Sequence, residues 1–139
     1  MTTAREVMHS GAECIKEDQS LLDAARMMRD MNVGSLPNCG KDDRLHGMIT
    51  DRDIVVRCVA EGGDCGTMTA GALAQGTVYW VDADSDIDDA LAVMEEHQVK
   101  RLPVMDDHRL VGMISEADIT RQLDDSRISR FAQEVYAKH

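Results

Sequence analysis

The stretch LHGMITDRDI at residues 45–54 returns as LVGMISEADI at residues 110–119. The segment before it is repeated as well, because residues 21–37 align with residues 87–103 at an offset of 66. One residue is lost in the loop that follows, so the offset becomes 65. Across both segments 13 of 28 aligned positions are identical, which indicates that the chain contains two copies of one unit.

The length of the chain, 139 residues, suits two small copies that complete each other's core. Neither copy is large enough to bury a good core alone, so we expect them to pack face to face with pseudo-two-fold symmetry. We assign residues 3–60 to the first repeat, 61–68 to a glycine-rich linker, 69–123 to the second repeat and 124–139 to a C-terminal helix.

Both copies predict the same α/β order of elements: strand, helix, strand, strand, helix. Ser20 with Asp23, and Ser85 with Asp88, have the pattern of a capping box before the first helix of each copy. The tail from Ile128 has apolar residues at helical spacing, which predicts a terminal helix packed on the body or on a partner chain. The strand pairs are expected at 35–39 with 45–50 and at 101–105 with 110–115, and the second helices from Asp51 and Glu116.

Composition and charge exclude several classes of function. Acidic residues outnumber basic ones by 26 to 15, giving a net charge of −11, and aromatic residues are 3% of the chain. Nucleic-acid binding needs clustered Lys and Arg or a stacking surface, so we do not expect it. No apolar run is long enough to span a membrane, and no apolar leader is present. We therefore expect a cytoplasmic protein, and leave open export by a route that needs no leader.

The repeated motifs resemble the CBS domain, the cystathionine-β-synthase-type repeat. Each copy has a helix, then Leu-Pro at 36–37 or 102–103, then the Leu-x-Gly motif quoted above. The resemblance covers about residues 3–123. It implies two βαββα repeats packed as a CBS pair (a Bateman module), which commonly forms a disc-like homodimer. The overall pattern further resembles the hypoxic-response CBS proteins of actinobacteria, which implies a role in a stress response.

The resemblance also implies a ligand site. In CBS domains a Thr/Ser-x-x-Asp motif often holds the ribose and phosphate of an adenine nucleotide such as AMP, ADP or ATP. Here that motif is Thr50 with Asp53 in the first copy and Ser115 with Asp118 in the second. The alternative is that these residues only cap the helices that they begin.

Two basic residues distinguish the copies. Lys100 and Arg101 stand where members of the CBS family often place basic residues that face phosphate, whereas the first copy has Gly34 and Ser35. The resemblance therefore favours the second copy as the nucleotide site. The alternative is that the two cations form a solvated pair at a strand edge.

The four cysteines are Cys14, Cys39, Cys58 and Cys65, and no two have the spacing of a zinc ribbon. In the CBS arrangement the segments of Cys14 and Cys39 can lie near one another. The resemblance therefore allows a Cys14–Cys39 disulfide, and two buried free thiols are the alternative. Cys58 and Cys65 flank the linker and could pair, but we expect exposed free thiols there.

Metal and catalytic motifs are weak or missing in the sequence. The five histidines show no spacing typical of a metal site. His97 could join a zinc site with a ligand from elsewhere, but a satisfied or exposed histidine is the better interpretation. There is no GxSxG motif and no Walker loop, so we expect a protein that is not an enzyme.

Two functions remain open. The first is a regulatory module that senses an adenine nucleotide in the inter-repeat cleft, with the ligand shifting a conformation that an unidentified partner protein reads. The second is a structural or interaction protein of a stress response. Its clefts would be empty, and a Cys14–Cys39 disulfide, with or without a metal, would stabilise it.

Overall fold

The computed structural model describes residues 1–11, 13–42, 44–74 and 78–137. Within these ranges no helix has the length and apolar character needed to cross a membrane. The elements in chain order are α1 (Ala4–Val7), β1 (His9–Ser10), β2 (Ile15–Lys16), α2 (Leu21–Met31), β3 (Ser35–Cys39), β4 (Leu45–Thr50), α3 (Asp51–Ile54), a π-helical segment (Val55–Val59), α4 (Ala70–Leu73), β5 (Val81–Asp82), α5 (Ile87–His97), β6 (Arg101–Asp106), β7 (Arg109–Ser115), α6 (Glu116–Gln122) and α7 (Asp125–Val135).

The chain forms two compact units, which we name the N-repeat unit (Glu13–Val78) and the C-repeat unit (Met1–Ala12 with Tyr79–His139). The sheet of the N-repeat unit has the order β2-β3-β4, with β2 parallel to β3 and β3 antiparallel to β4. The sheet of the C-repeat unit has the order β1-β7-β6-β5, in which only the β5–β6 pair is parallel. The predicted order of strand, helix, strand, strand, helix is confirmed in both copies.

Each unit buries its own cluster of aliphatic side chains. The terminal helix α7 contributes Phe131 and Val135 to the core of the C-repeat unit, so the predicted tail helix is confirmed and packs on the body of its own chain. Fully buried residues at the centre of the two cores are Ile15, Leu21, Leu36 and Ile49 in the N-repeat unit and Leu91, Met94, Leu102 and Ile114 in the C-repeat unit.

The two long helices begin in different ways. At α2 the predicted capping box is confirmed, because the Asp23 N–H donates to Ser20 Oγ (3.0 Å) and the Ser20 N–H donates to Asp23 Oδ2 (3.4 Å). At α5 the prediction of Ser85 was wrong. The N-cap is Asp86, whose Oδ1 accepts a hydrogen bond from the Asp88 N–H (2.9 Å). The repeat offset of 66 places Asp86 on Ser20, and aspartate caps a helix as well as serine does.

The short lead-in helices α1 and α4 are exchanged between the sequence repeats. Ala4 and Val7 of α1 lie in the core of the C-repeat unit, where the Ala4 N–H donates to the Ser85 carbonyl (2.9 Å). Ala70 and Leu73 of α4 lie in the core of the N-repeat unit. The compact units therefore have different boundaries from the repeats that the sequence displays.

The segment 61–68, assigned above as a linker, lies within the N-repeat unit. The carbonyls of Cys65 and Met68 accept hydrogen bonds from the N–H groups of Leu22 and Leu21 (both 2.9 Å). The segment thus satisfies two of the backbone donors that the first turn of a helix leaves without an intrahelical partner.

The exchange accounts for the glycine of the Leu-x-Gly motif. A Cβ atom on Gly47 would overlap the carbonyl oxygen of Ala74, at the end of α4. A Cβ atom on Gly112 would lie 2.7 Å from the carbonyl oxygen of His9, in the segment that follows α1. Each lead-in segment crosses a strand so closely that only glycine fits beneath it.

We predict that Gly47→Ala lowers the free energy of unfolding by about 1–3 kcal/mol, the usual cost of overpacking a buried site. Gly34→Ala is the matched control, because its Cβ would first meet the exposed carboxylate of Asp51 at 3.2 Å, and that side chain can move away. Urea unfolding of the three proteins measures the difference. Equal stability of the two variants would contradict this explanation of the motif.

Candidate functional site

The two Thr/Ser-x-x-Asp motifs form helix caps of one design. The Thr50 N–H donates to Asp53 Oδ2 (2.9 Å), and the Asp53 N–H donates back to Thr50 Oγ1 (3.1 Å). The Ser115 N–H donates to Asp118 Oδ2 (2.9 Å), and the Asp118 N–H donates back to Ser115 Oγ (3.4 Å). The capping role proposed as an alternative for these four residues is confirmed. It leaves ligand binding as a further role that each carboxylate could have.

Asp118 is buried, with 1% of its surface exposed, and its carboxylate is surrounded by donors. His9 Nδ1 lies 2.7 Å from Oδ2, the Ser115 hydroxyl donates to the same oxygen (2.9 Å), and Arg121 donates to Oδ1. Burial alone raises the pKa of Asp118. The hydrogen bonds from His9 and Ser115 outweigh burial and hold the pKa below its ordinary value.

Asp53 has a more open environment than Asp118. Its side chain is half-buried, and within the described ranges only Oδ2 accepts hydrogen bonds. The difference follows from the sequence, because the position of Arg121 is occupied by Val56 in the first copy. The position of His9 corresponds to Gln75, which lies outside the described residues. Among the described residues, no side chain or backbone group donates to Oδ1 of Asp53.

Lys100 and Arg101 differ in their surroundings although they are adjacent. Lys100 is half-buried, and its Nζ lies 4.5 Å from the ring centroid of Tyr136, just after α7. The Tyr136 hydroxyl donates to Glu116 Oε1 (2.6 Å) at the start of α6. Arg101 is exposed at the start of β6. Lys100 is thus held by a cation–π contact, whereas Arg101 presents its charge to solvent.

The predicted ligand residues are divided between the two compact units. Thr50 and Asp53 belong to the N-repeat unit. Lys100, Arg101, Ser115 and Asp118 belong to the C-repeat unit. Thr50 contacts Asp53 and Ser115 contacts Asp118, and Arg101 lies opposite Ser115 in the register of β6 and β7.

The cysteines form one disulfide and one close thiol pair. Cys14 and Cys39 are joined by a disulfide, with their Cα atoms 5.6 Å apart. This is the pairing that the resemblance allowed. Cys58 is fully buried, so the expectation that it is exposed was wrong, and Cys65 is half-buried. Their Sγ atoms lie 2.7 Å apart, because the π-helical segment and the linker fold back on each other.

His97 is packed against an aromatic ring. Its imidazole stacks on Tyr79 with ring centroids 3.7 Å apart and an interplanar angle of 12°, and Nε2 lies 4.0 Å from Glu96 Oε2. Across the described ranges, no group of three or more His, Cys, Asp or Glu side chains is arranged to hold a metal ion. The surroundings of His97 therefore do not form the donor set that zinc requires.

Sequence reasoning missed two residues at the second-copy motif. His9 contacts Asp118 across 109 residues of chain, and no spacing pattern could have indicated that contact. Arg121 follows Asp118 by three residues on α6. That spacing puts two helical side chains on one face, so the i, i+3 pattern could have identified Arg121.

Comparison with known families assigns the repeated motif. A family model for the CBS domain matches residues 4–59 and 70–125. The chain belongs to the CBS-domain family. Its two repeats are tandem CBS domains of mixed α/β structure, as the sequence resemblance implied.

Two curated relatives cover nearly the whole chain. It is 52% identical over 135 residues to hypoxic response protein 1 of Mycobacterium tuberculosis, covering 97% of this chain and 94% of the relative. It is 31% identical over 119 residues to the CBS domain-containing protein YhcV of Bacillus subtilis, covering 86% of this chain and 84% of the relative. The predicted similarity to hypoxic-response CBS proteins is therefore confirmed.

Solved structures give the same fold. The crystal structure of hypoxic response protein I with two coordinated zinc ions superposes with a TM-score of 0.81 at 54% identity, covering 88% of this chain and all of that one. The CBS domain protein TA0289 of Thermoplasma acidophilum superposes with a TM-score of 0.83 at 20% identity, covering 99% of this chain and 78% of that one. The second likeness is one of fold alone.

We predict that Asp118→Asn lowers the free energy of unfolding at pH 7 by about 1–3 kcal/mol, because buried donors lose a charged acceptor. The native pKa of Asp118 is depressed, so this contribution is present above the unfolded value near 3.9. It is lost as the pH falls through the lower native pKa. Urea unfolding at pH 7 and at acid pH measures this: the difference in free energy of unfolding between wild type and variant should shrink as the pH falls.

The control for this prediction is Asp53→Asn at the other motif. Asp53 is half-buried and accepts fewer hydrogen bonds, so its loss should be that of a helix cap, about 1 kcal/mol. The explanation of the Asp118 hydrogen bonds would be contradicted if the two variants lost equal free energy of unfolding. It would also be contradicted if the loss for Asp118→Asn stayed the same at acid pH.

Proposed function

We propose that this CBS pair is a non-enzymatic regulatory protein of a stress response that senses an adenine nucleotide through Thr50 and Asp53. The observation that carries the proposal is that, among the described residues, no group donates to Oδ1 of Asp53, which lies at the N-terminus of α3 beside the Thr50 cap. The 52% identity to a hypoxic response protein supports the stress-response part. The family membership supports a regulatory role.

The chemistry of the Thr50/Asp53 pair suits a ribose. An ionised carboxylate is an acceptor with room for several donors, and the capping bond uses only one oxygen of Asp53. The 2′- and 3′-hydroxyls of a ribose can donate hydrogen bonds to Oδ1. Hydrogen bonds to a charged group contribute more than neutral ones, so this contact can supply a large share of the affinity.

The second-copy motif needs a rearrangement before it can bind a nucleotide in the same way. Asp118 already accepts hydrogen bonds from His9, Ser115 and Arg121. A ribose would have to displace one of these donors, and the buried carboxylate would gain little net free energy from the exchange. We therefore place the main site in the first copy, although the adjacent basic residues had favoured the second.

Charge limits the ligand to few phosphates. Asp51 adds a second carboxylate to the first turn of α3, and the whole protein carries a net charge of −11. Because these negative charges repel phosphate groups, we expect AMP or ADP to bind more tightly than ATP.

We propose that the functional form is a homodimer that stays in the cytoplasm. The apolar surface that a second copy would cover is the π-helical segment, where Val55, Val56 and Val59 are 57%, 41% and 60% exposed. Three large aliphatic side chains on one exposed turn favour burial against a partner. Light scattering of the full chain measures the mass, and a monomer would contradict this part.

The zinc of the related crystal structure is not part of the proposed function. That structure contains two coordinated zinc ions. In the described ranges of this chain His97 stacks on Tyr79, and no three-ligand group is present. The residues described here do not fit a zinc site, so no role is derived from the metal.

We predict that Asp53→Asn weakens AMP or ADP binding by about 10- to 100-fold, the effect of losing a charge-assisted hydrogen bond. Asp51→Asn is the matched control, since it removes the same charge from the first turn of α3, two residues before Asp53, and leaves the proposed ribose contact intact. It should bind equally or more tightly. Isothermal titration measures both affinities, and circular dichroism checks that each variant is folded. Equal weakening in both variants would contradict the ribose role of Asp53.

The second candidate function is an interaction protein stabilised by its disulfide rather than by a ligand. The observation that favours it is the Cys14–Cys39 bridge, which closes a loop with a sequence separation of 25 residues. Such a bridge contributes about 3 kcal/mol. This function would be supported, and the sensor overturned, if no adenine nucleotide raised the melting temperature and reduction of the disulfide lowered the free energy of unfolding by about 3 kcal/mol.

A further inference from the structure

All four cysteines of this protein belong to one of its two compact units. Cys14, Cys39, Cys58 and Cys65 lie in the N-repeat unit, and the segments that form the C-repeat unit contain none. The repeat offset aligns Cys58 with Leu123 of the second copy, and Cys65 lies in a connection that occurs once. Symmetry of the fold therefore does not require cysteine at either position.

The two cysteines outside the disulfide are held face to face by the backbone. Their Sγ atoms are neighbours, 2.7 Å apart. The Gly63 N–H donates to the Cys58 carbonyl (2.9 Å), and the Leu22 N–H donates to the Cys65 carbonyl (2.9 Å). Both residues are thus fixed by neighbours on either side of the pair.

Access to solvent differs between the two sulfur atoms. Cys58 is fully buried and Cys65 is half-buried. A reagent in solution can therefore reach Cys65, whereas the nearest sulfur available to Cys58 is that of Cys65. This asymmetry is typical of thiol pairs in which one cysteine is attacked and the other resolves the product.

We propose that Cys58 and Cys65 form a second, reversible redox pair that closes to a disulfide by exchange with a small-molecule disulfide. In the first step the Cys65 thiolate attacks one sulfur of the reagent, and a mixed disulfide forms as one small thiolate leaves. In the second step the Cys58 thiolate attacks Cys65 Sγ and expels the other small thiolate. The protein loses two electrons and two thiol protons, and the reagent becomes two thiols.

The electrostatics of the pair are consistent with this order of events. The hydrogen bond with Cys65, burial and the charge of a Cys65 thiolate together raise the pKa of Cys58 to about 11. The Cys58 thiol therefore stays protonated as long as Cys65 has not formed a mixed disulfide. Conversion of Cys65 to a mixed disulfide removes its charge, so the Cys58 thiolate then forms more readily for the second step.

The bridge would act on the start of α2. The carbonyls of Cys65 and Met68 accept the hydrogen bonds of Leu22 and Leu21, the first two residues of that helix. Closing the pair would tie this segment to the π-helical segment that carries Cys58. In the C-repeat unit the matching bond runs from the Ile87 N–H to the Thr2 carbonyl (2.8 Å), and no cysteine stands near it in the sequence.

The test is oxidation of the reduced full-length protein with oxidised glutathione, followed by alkylation in denaturant and mass spectrometry. Cleavage after Glu61 separates Cys58 from Cys65 in the chain. The proposal expects the two peptides to remain joined, with a mass lower by two hydrogen atoms, and to separate on reduction. Alkylated Cys58 beside glutathionylated Cys65 in the wild type would overturn it.

Single variants test the assigned roles. In Cys58→Ser we expect a stable mixed disulfide of glutathione at Cys65, because the resolving thiol is missing. In Cys65→Ser we expect Cys58 to remain a free thiol, because it is buried. Equal glutathionylation of the remaining cysteine in both folded variants would overturn the asymmetric mechanism.

Hydrogen exchange tests the structural consequence without relying on a variant. Oxidation should slow exchange at the amides of Leu21 and Leu22, and leave the amide of Ile87 unchanged. The comparison is made with Cys14–Cys39 oxidised in both samples, as checked by the same peptide mapping. Unchanged exchange at Leu21 and Leu22 after the bridge has closed would contradict the link to α2.

Discussion

The crossing of each lead-in segment over the other repeat's motif glycine is the constraint on which this structure depends. The end of α4 passes over Gly47, and the segment after α1 passes over Gly112, both too closely for a Cβ atom. The crossings bring α1 into the core built on β5–β7 and α4 into the core built on β2–β4, so each helix packs against strands of the other repeat. A repeat of this size buries too little surface alone, and the exchange makes each core a joint product of both repeats.

On this symmetric scaffold the two copies have separate chemistry. In the C-repeat unit His9, Ser115 and Arg121 donate to the carboxylate of Asp118, so this motif is part of the protein's own hydrogen bonding. In the first copy, no group in the described part of the chain donates to Oδ1 of Asp53. Thr50 and Asp53 also lie in the unit that holds every cysteine. The proposed nucleotide site and the proposed redox pair would therefore both lie in the N-repeat unit.

Local patterns were predictable from the sequence, and long-range pairings were not. The strand bounds 35–39 and 45–50 match the structure because apolar residues and the internal repeat mark them. The caps Ser20, Thr50 and Ser115 were also found, since capping is a local interaction, whereas the cap of α5 was placed one residue too early. The exchange of α1 and α4 could not be predicted, because both begin with Thr-Ala and either core would bury them. The burial of Cys58 was missed because valines surround it on both sides and give no inward or outward signal.

The central claim is that each lead-in helix stabilises the repeat to which it does not belong in sequence. Native-state hydrogen exchange of Val7→Ala and Leu73→Ala tests this most directly, because both side chains are buried in these helices. The account predicts faster exchange in residues 79–135 for Val7→Ala and in residues 13–74 for Leu73→Ala. Faster exchange of residues 13–59 in Val7→Ala, with residues 79–135 unchanged, would contradict it.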